Sequence, residues 1–492
     1  MSGSISASTF DPHHEEPDLP LYEARKQIYP QAVHGVFRRI KWTILVITLG
    51  IYYLLPFVRW DRGPGAPGQA VLVDLEHRRA YFFFIEIWPQ EVYYLTGLLI
   101  IAALTLFLMN ALAGRVWCGY LCPQTVWTDL FMWVERVIEG DRRDRMQRDA
   151  GPFDVEVFAL KLLKHTFWIL IAWWTGGAWV LYFSDAPTLV MELLTFQASY
   201  STYTAIFILT GTTYIFAGWM REQVCLYMCP WPRIQAALTD EYALNVTYRY
   251  DRGEERMSLK KAAQARAAGQ TVGDCIDCNQ CVHACPTGVD IRHGSQLGCI
   301  QCGLCIDACD DVMTKVGRPI RLIAYDTDVN IKRRREGLPN IFKPFRIRTL
   351  LYVALISIVG GVMAWQLINR APFTVSVIHD RNPIYVKLSD GHIRNAYTVR
   401  IANMLPDERL FHFHVAGLAD ATVTIIGEDA AADNALSVRV GPDQTRELRV
   451  LVTSIDNPKV KEPVVLYFEI RDEEIGRTAV ARDFFRTPST GH

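Results

Sequence analysis

Twelve cysteines carry the chemistry of this chain, and all of them lie between Cys118 and Cys309 in tightly spaced groups. Clustered spacing of this kind suggests metal or redox use, whereas evenly scattered pairs would suggest a disulfide framework. Cys275, Cys278, Cys281 and Cys285 are separated by two, two and three residues and lead into Pro286. Cys299, Cys302, Cys305 and Cys309 repeat that spacing 24 residues later. Such a run holds paired [4Fe-4S] clusters: its first three thiolates reach one cube and its fourth is carried to the other. The spacing therefore assigns Cys275, Cys278, Cys281 and Cys309 to one cluster, and Cys299, Cys302, Cys305 and Cys285 to the second. Structural zinc is the alternative, because CxxC pairs also build tetrahedral sites; the duplicated spacing weighs strongly against it. Asp310 stands where the first run has Pro286, which leaves the turn after Cys309 open.

The other cysteines form a second pair of motifs. Cys118 and Cys122 precede Pro123, and Cys225 and Cys229 precede Pro230; both are CxxxCP, with Tyr120 and Tyr227 two places before the second cysteine. Each motif follows an apolar stretch and an Ala-Gly pair, so the two read as an internal repeat. On a helix, positions four apart share a face. Each motif is thus expected to offer two sulfurs to one spot, and pairing of the two halves would bring four thiols together. Four soft thiolates could bind copper or another soft ion, or cycle between dithiol and disulfide. The alternative is that the cysteines serve as small buried hydrophobes. Met228 is read as packing rather than as a further soft ligand.

Elements long enough to position these groups come from hydropathy. Half of the 492 residues are hydrophobic while 21% are charged, which points to apolar residues concentrated in membrane segments. Five stretches are expected to span a bilayer, 42–58, 92–113, 165–183, 202–220 and 350–368. The N-terminus lacks a basic region followed at once by an apolar run, so no cleaved signal peptide is expected. Lys and Arg gather before the first and fifth stretches and after the second, which predicts a cytoplasmic N-terminus and cytoplasmic second and fourth connections. Arg59, Arg62, Arg78 and Arg79 in the first outer loop dissent. The formal net charge of -1 gives no reason to expect nucleic acid as a partner.

The expected organisation is multidomain: a cytoplasmic tail (1–41), an α-helical membrane bundle with the first four of about five transmembrane helices (42–220), a cytoplasmic region (221–348) containing a ferredoxin-like 2×[4Fe-4S] domain at about 265–325, the fifth helix (349–369), and a periplasmic segment (370–492). Residues 251–273 read as a charged, Ala-rich linker or short helix. The last segment alternates apolar and polar residues between turn signals such as Ser389, Asp390 and Gly391, which predicts an all-β immunoglobulin-like sandwich of about seven strands. It contains no cysteine, so its stability must come from a packed core.

Other candidates carry less weight. His412 and His414 share one strand face and read as solvated rather than metal-binding. His165 has no second membrane histidine placed to complete a haem site, so no haem is assigned. Asn245 opens a chance sequon on the cytoplasmic side. The aromatic run 82–89 is expected at the outer membrane interface.

With these features in one order, the chain resembles the CcoG family, also called FixG or RdxA, bacterial accessory proteins for assembly of the cbb-type cytochrome c oxidase. The resemblance rests on the CxxxCP pair, the duplicated ferredoxin run and the sandwich after the last span, and covers nearly the whole chain. It implies a cupric reductase in the inner membrane, with Cys118, Cys122, Cys225 and Cys229 as the copper-reduction or redox site and copper as substrate. It also implies membrane lipid, the copper ion, a copper chaperone or oxidase-assembly proteins and an unidentified electron donor as partners, with a homodimer left open. Two rivals stand beside it: a quinol-oxidising conduit to a periplasmic reductase, against which the sandwich argues, and a non-enzymatic assembly scaffold whose clusters only sense redox state or hold the fold.

Overall fold

The computed structural model describes residues 27–63, 66–418, 421–427, 436–455 and 463–487. Most of the expected N-terminal tail lies outside the described residues. Two compact units make up the chain: residues 1–49, 106–176 and 207–349 form the first, and 50–105, 177–206 and 350–492 the second.

Among the described residues three helices are long and apolar enough to cross a membrane, Val36–Phe57, Pro89–Ala113 and Ile347–Ile368. They coincide with the first, second and fifth expected stretches. The third and fourth stretches are helical too but fall short of that measure. Helix Val155–Val180 carries Lys161, Lys164 and His165 in its interior. Helix Tyr200–Thr213 gives way at once to a π-helical turn, Tyr214–Met220, which interrupts it.

Buried charges tie the helices of the first unit together. Asp129, on helix Pro123–Glu139, accepts from Arg38 Nη1 at 2.9 Å with both oxygens, and Lys41 Nζ stands 3.7 Å away. Two turns along the same helix, Glu135 meets Arg145 at 2.7 Å, Arg221 at 2.9 Å and Lys164 at 3.7 Å. A buried carboxylate persists only where it is paired and hydrogen-bonded. Each of these two therefore fixes the ends of several chain segments at once.

The cysteine runs sit between two strands, Asn245–Tyr248 and Ile323–Asp326, which pair antiparallel. Val246, Tyr248, Ile306, Met313, Leu322 and Ile323 make a core with Cys275, Cys281 and Cys309. The residues flanking the second cysteine of each run adopt the same conformation: Asp277 (φ 56°) and Asn279 (φ 58°) in the first, Gln301 (φ 55°) and Gly303 (φ 75°) in the second. Left-handed residues on both sides curl the chain around the intervening cysteine, at a steric cost that only Gly303 escapes. The helix of the first run, Gln280–His283, stops short of Pro286. That of the second, Leu304–Lys315, runs on through Cys309, because Asp310 keeps the backbone N–H that a proline lacks. Asp310 Oδ1 accepts from the Arg321 N–H at 2.7 Å, which settles the open turn. The linker before the runs contains a short helical turn, Tyr250–Gly253, and the helix Leu259–Ala267.

In the second unit the C-terminal segment is a β-sandwich. One sheet has strands in the order Thr422–Ile425, Gln444–Ile455, His392–Asn403 and Phe373–His379, with Val386–Lys387 also paired to His392–Asn403; the other runs Leu436–Val440, Arg409–Ala416, Val464–Asp472 and Arg477–Phe485. All pairs are antiparallel. Along His392–Asn403 every second residue is buried, Ile393, Tyr397, Val399 and Ile401 among them, and these meet Phe411, Phe413 and Phe468 from the opposite sheet. The aromatic run 82–89 belongs to a small sheet, Val71–Asp74, Arg79–Phe82 and Ile85–Ile87, turned at Phe83 (φ 51°). Arg79 of this sheet stacks 3.9 Å above the Trp88 ring and binds Asp443 at 2.5 Å.

Candidate functional site

Cys285, Cys299, Cys302 and Cys305 line one small cavity, closed by Val246, Val289 and Ile291. The Cys285 sulfur lies 3.3 Å from the Thr287 hydroxyl. Burial pushes the Cys305 thiol well up, and the nearby Cys302, Cys299 and Cys285 thiols push it further. The other four gather around Cys309, whose thiol is raised to about 12 by burial and then by Cys281, Cys278 and Cys275. Each group thus draws three cysteines from one run and the fourth from the other. Soft donors in fours, with Cys275, Cys281, Cys302 and Cys309 buried, suit a cubane cluster. A thiol raised by burial gives up its proton when a metal binds it.

Among the described residues, no three Cys, His, Asp or Glu side chains close to the spacing of a single-ion site.

The CxxxCP cysteines do not lie on helix faces as the spacing suggested. Cys118 is on the short helix Val116–Tyr120, but Cys122 lies beyond its end in extended conformation (φ -60°, ψ 127°). Cys225 is in a π-helical turn, Val224–Met228, and Cys229 is again extended (φ -79°, ψ 122°). Pro123 and Pro230 are the cause, since a proline drives the residue before it out of helical conformation. The breaks still bring the sulfurs to one place: Cys118, Cys122, Cys225 and Cys229 line a single cavity of about 190 Å³, and Cys299 forms part of the same wall. Burial pushes Cys118 up to about 12, with Cys122 and Cys225 adding to the rise and Arg115 opposing it. Cys225 also stands at about 12, through burial and then Cys122 and Cys229. The Cys118 thiol donates to Gln235 Oε1 at 3.3 Å.

The contact between the two cysteine systems is through backbone. A Cβ placed on Gly119 would lie 2.8 Å from the Ile300 carbonyl oxygen and 3.0 Å from Cys302 Cα, so only glycine fits there. The neighbouring Tyr120 hydroxyl donates to the Cys302 carbonyl at 2.9 Å. Arg115, buried, clamps the opposite edge. Its guanidinium donates to the carbonyls of Leu297 at 2.7 Å, Pro232 at 2.8 Å and Cys299 at 3.4 Å, and its N–H to Gln301 Oε1 at 2.7 Å. Among the described residues no carboxylate pairs with it, and burial lowers its pKa while Cys118 and Cys299 raise it. Nothing in the sequence singles out Arg115 among the basic residues after the second apolar stretch, or Gly119 within CxxxCP. Their signal lies in contacts with residues far along the chain.

The remaining candidates fall outside this site. His165 bonds the Tyr214 hydroxyl through Nδ1 at 3.0 Å and stacks on Trp219. His412 and His414 are on the outward face of their strand, with Glu473 3.4 Å from His412. Asn245 is buried and accepts from Gln301 at 2.5 Å.

Residues 220–328 match the family model of a 4Fe-4S dicluster domain, residues 95–139 a 4Fe-4S binding domain, and residues 363–488 the IG-like fold at the C-terminal of FixG. Nitrogen fixation protein FixG of Rhizobium meliloti is 48% identical over 460 residues, which cover 88% of this chain and 87% of that relative. The chain belongs to the FixG/RdxA/CcoG family. Protein RdxB of Cereibacter sphaeroides is 50% identical over 435 residues (88% of this chain, 90% of the relative), and Protein RdxA of the same organism 48% identical over 438 (88% and 91%). The dicluster match makes this FixG-family chain an iron-sulfur electron-transfer protein, and its three apolar helices associate it with the membrane.

Proposed function

We propose that the chain reduces Cu(II) to Cu(I) for assembly of a cbb-type oxidase, with Cys118, Cys122, Cys225 and Cys229 receiving the copper. The observation that carries this reading is the shared cavity wall: four thiols of the CxxxCP pair and Cys299 face one space. Cys275, Cys278, Cys281 and Cys309 would hold one [4Fe-4S] cluster, and Cys285, Cys299, Cys302 and Cys305 the other. Such clusters, when bound, accept and release electrons singly. The four thiols favour the softer Cu(I) over Cu(II), which makes addition of one electron to the ion easier. Arg115, beside Cys118, offsets the negative charge that gathers as thiols lose protons. The distribution of Lys and Arg supports five spans in the inner membrane, with the cysteines cytoplasmic and the sandwich periplasmic.

Anaerobically purified protein tests this directly. Cys118→Ala, Cys122→Ala, Cys225→Ala and Cys229→Ala should each lose Cu(II) reduction while the cluster spectrum stays; reduction undiminished in all four would sink the proposal. Quinol oxidation independent of copper would favour the conduit, and intact oxidase maturation in the variants the scaffold. A second reading follows from the 4Fe-4S binding match over 95–139, which includes Cys118 and Cys122: the four thiols would then hold a cluster of their own. Loss of iron from the four variants would favour it.

A further inference from the structure

A further cavity in the first unit, about 760 Å³ and with no cysteine in its lining, opens beside the N-terminal end of helix Val36–Leu54. Its polar wall is cationic: His34, Arg38, Arg39 and Arg136 line it, with no Asp or Glu. Trp42 and Trp133, packed edge to face at 6.0 Å, form the apolar wall with Val137. Trp133 and Val137 are 45% and 65% exposed, so this wall faces outward.

The cations are only partly satisfied from within the protein: Arg38 gives Nη1 to Asp129 but has a further N–H group free. Arg38 Nη2 and Arg136 Nε are sealed from solvent and donate to nothing. Among the described residues neither Arg39 nor Arg136 forms an ion pair. Asp129 and Asp141 act on Arg136 at a distance, but Asp129 is taken by Arg38 and Lys41, and Asp141 by the Ala32 N–H. Buried guanidinium N–H groups left without acceptors are costly, and an anion between them removes that cost. The helix that carries Arg38, Arg39 and Trp42 is long and apolar enough to cross a bilayer. Arginines at the end of such a helix, and Trp42 a turn further along it, match the headgroup layer and the acyl boundary.

The geometry points to a binding site for one anionic phospholipid, its phosphate held between Arg38, Arg39 and Arg136 and its chains against Trp133 and Val137. Gly35 and Arg38 in this wall also touch Asp307, on the helix of Cys305 and Cys309, so the lipid would brace that helix.

The test uses the full-length, cluster-loaded protein, delipidated in detergent and titrated with dioleoylphosphatidylglycerol or dioleoylphosphatidylcholine. Lipid retained in native mass spectrometry and the shift in melting temperature are the two readouts. Phosphatidylglycerol should bind in preference, with affinity weakened about tenfold in Arg136→Gln and in Arg39→Gln, kept in Arg136→Lys, and unchanged in Arg143→Gln, an exposed arginine outside the cavity. Unaltered cluster absorbance in the variants would show that they fold. Equal binding of both lipids, or equal loss in Arg143→Gln, would overturn the site. Inorganic phosphate stabilising wild type as strongly as phosphatidylglycerol would assign the cavity to a soluble anion and overturn the lipid.

Discussion

Gly119 lies against Cys302 with no room for a side chain: a Cβ there would come 3.0 Å from Cys302 Cα and 2.8 Å from the carbonyl oxygen of Ile300. The first CxxxCP motif and the second ferredoxin run therefore meet backbone to backbone.

Replacing Gly119 with Ala should push these segments apart, because the obstructing atoms are backbone and cannot rotate away. Overpacking of this kind costs about 1–3 kcal/mol, and a displacement near 1 Å is enough to slow a positioned reaction by about tenfold or more. Cu(II) reduction should fall by that factor with cluster content preserved. Stopped-flow reduction beside cluster absorbance checks both.

Arg115 puts a buried positive charge beside Cys299 and Cys118. A nearby cation favours the more negative, reduced state of a cluster held by Cys299. Arg115→Gln should accordingly lower that midpoint potential, by on the order of tens of millivolts, and Arg115→Lys should restore most of it. An EPR-monitored redox titration of the three proteins distinguishes lost charge from lost packing.

Metal uptake by the CxxxCP cavity should release protons. Cys118 and Cys225 hold theirs up to about 12, above the usual thiol range, so near neutral pH an incoming ion must displace them. Affinity should then rise with pH, by up to about tenfold per unit for each proton displaced. Stability runs the opposite way: a raised thiol pKa favours the neutral form, a contribution complete below the unfolded thiol's pKa and lost as pH climbs toward about 12. Calorimetry in buffers of different ionisation enthalpy counts the protons.

Glu86 supplies a pH dependence in the second unit. Burial, and then Asp443, push its carboxyl up to about 7. Its stabilising contribution is complete below the ordinary carboxylate range and disappears as pH rises through about 7. Hydrogen exchange across the small sheet at 79–87, corrected for intrinsic rate, should accelerate between about pH 6 and pH 8, and Glu86→Gln should flatten that response.

How much of this was legible follows from how local each signal is. The sandwich strands announce themselves by alternation, as in His392–Asn403, because a half-buried strand imposes a period of two on its own residues. Left-handed turns at Asp277 and Gln301 had no glycine to mark them. The CxxxCP spacing alone predicts a helix face, but Pro123 and Pro230 hold the second cysteine of each motif in extended conformation. The expected stretch 165–183 lies largely within helix Val155–Val180, whose earlier turns carry Lys161 and Lys164, the latter paired with Glu139 at 2.8 Å. Arg115, Gly119 and Asp307 depend on partners more than a hundred residues away, which no window along the chain contains.

Asp307 also imposes an order of events. Its carboxylate accepts from the N–H groups of Phe37, at 3.2 Å, and Arg38, at 2.8 Å, the opening turn of the first apolar helix. The ribosome makes that helix some 270 residues before it makes the aspartate. Until the segment that carries Asp307 has emerged and taken shape, helix Val36–Leu54 waits with these N–H groups uncapped, so folding of the second cysteine run is what completes the end of a helix made long before it.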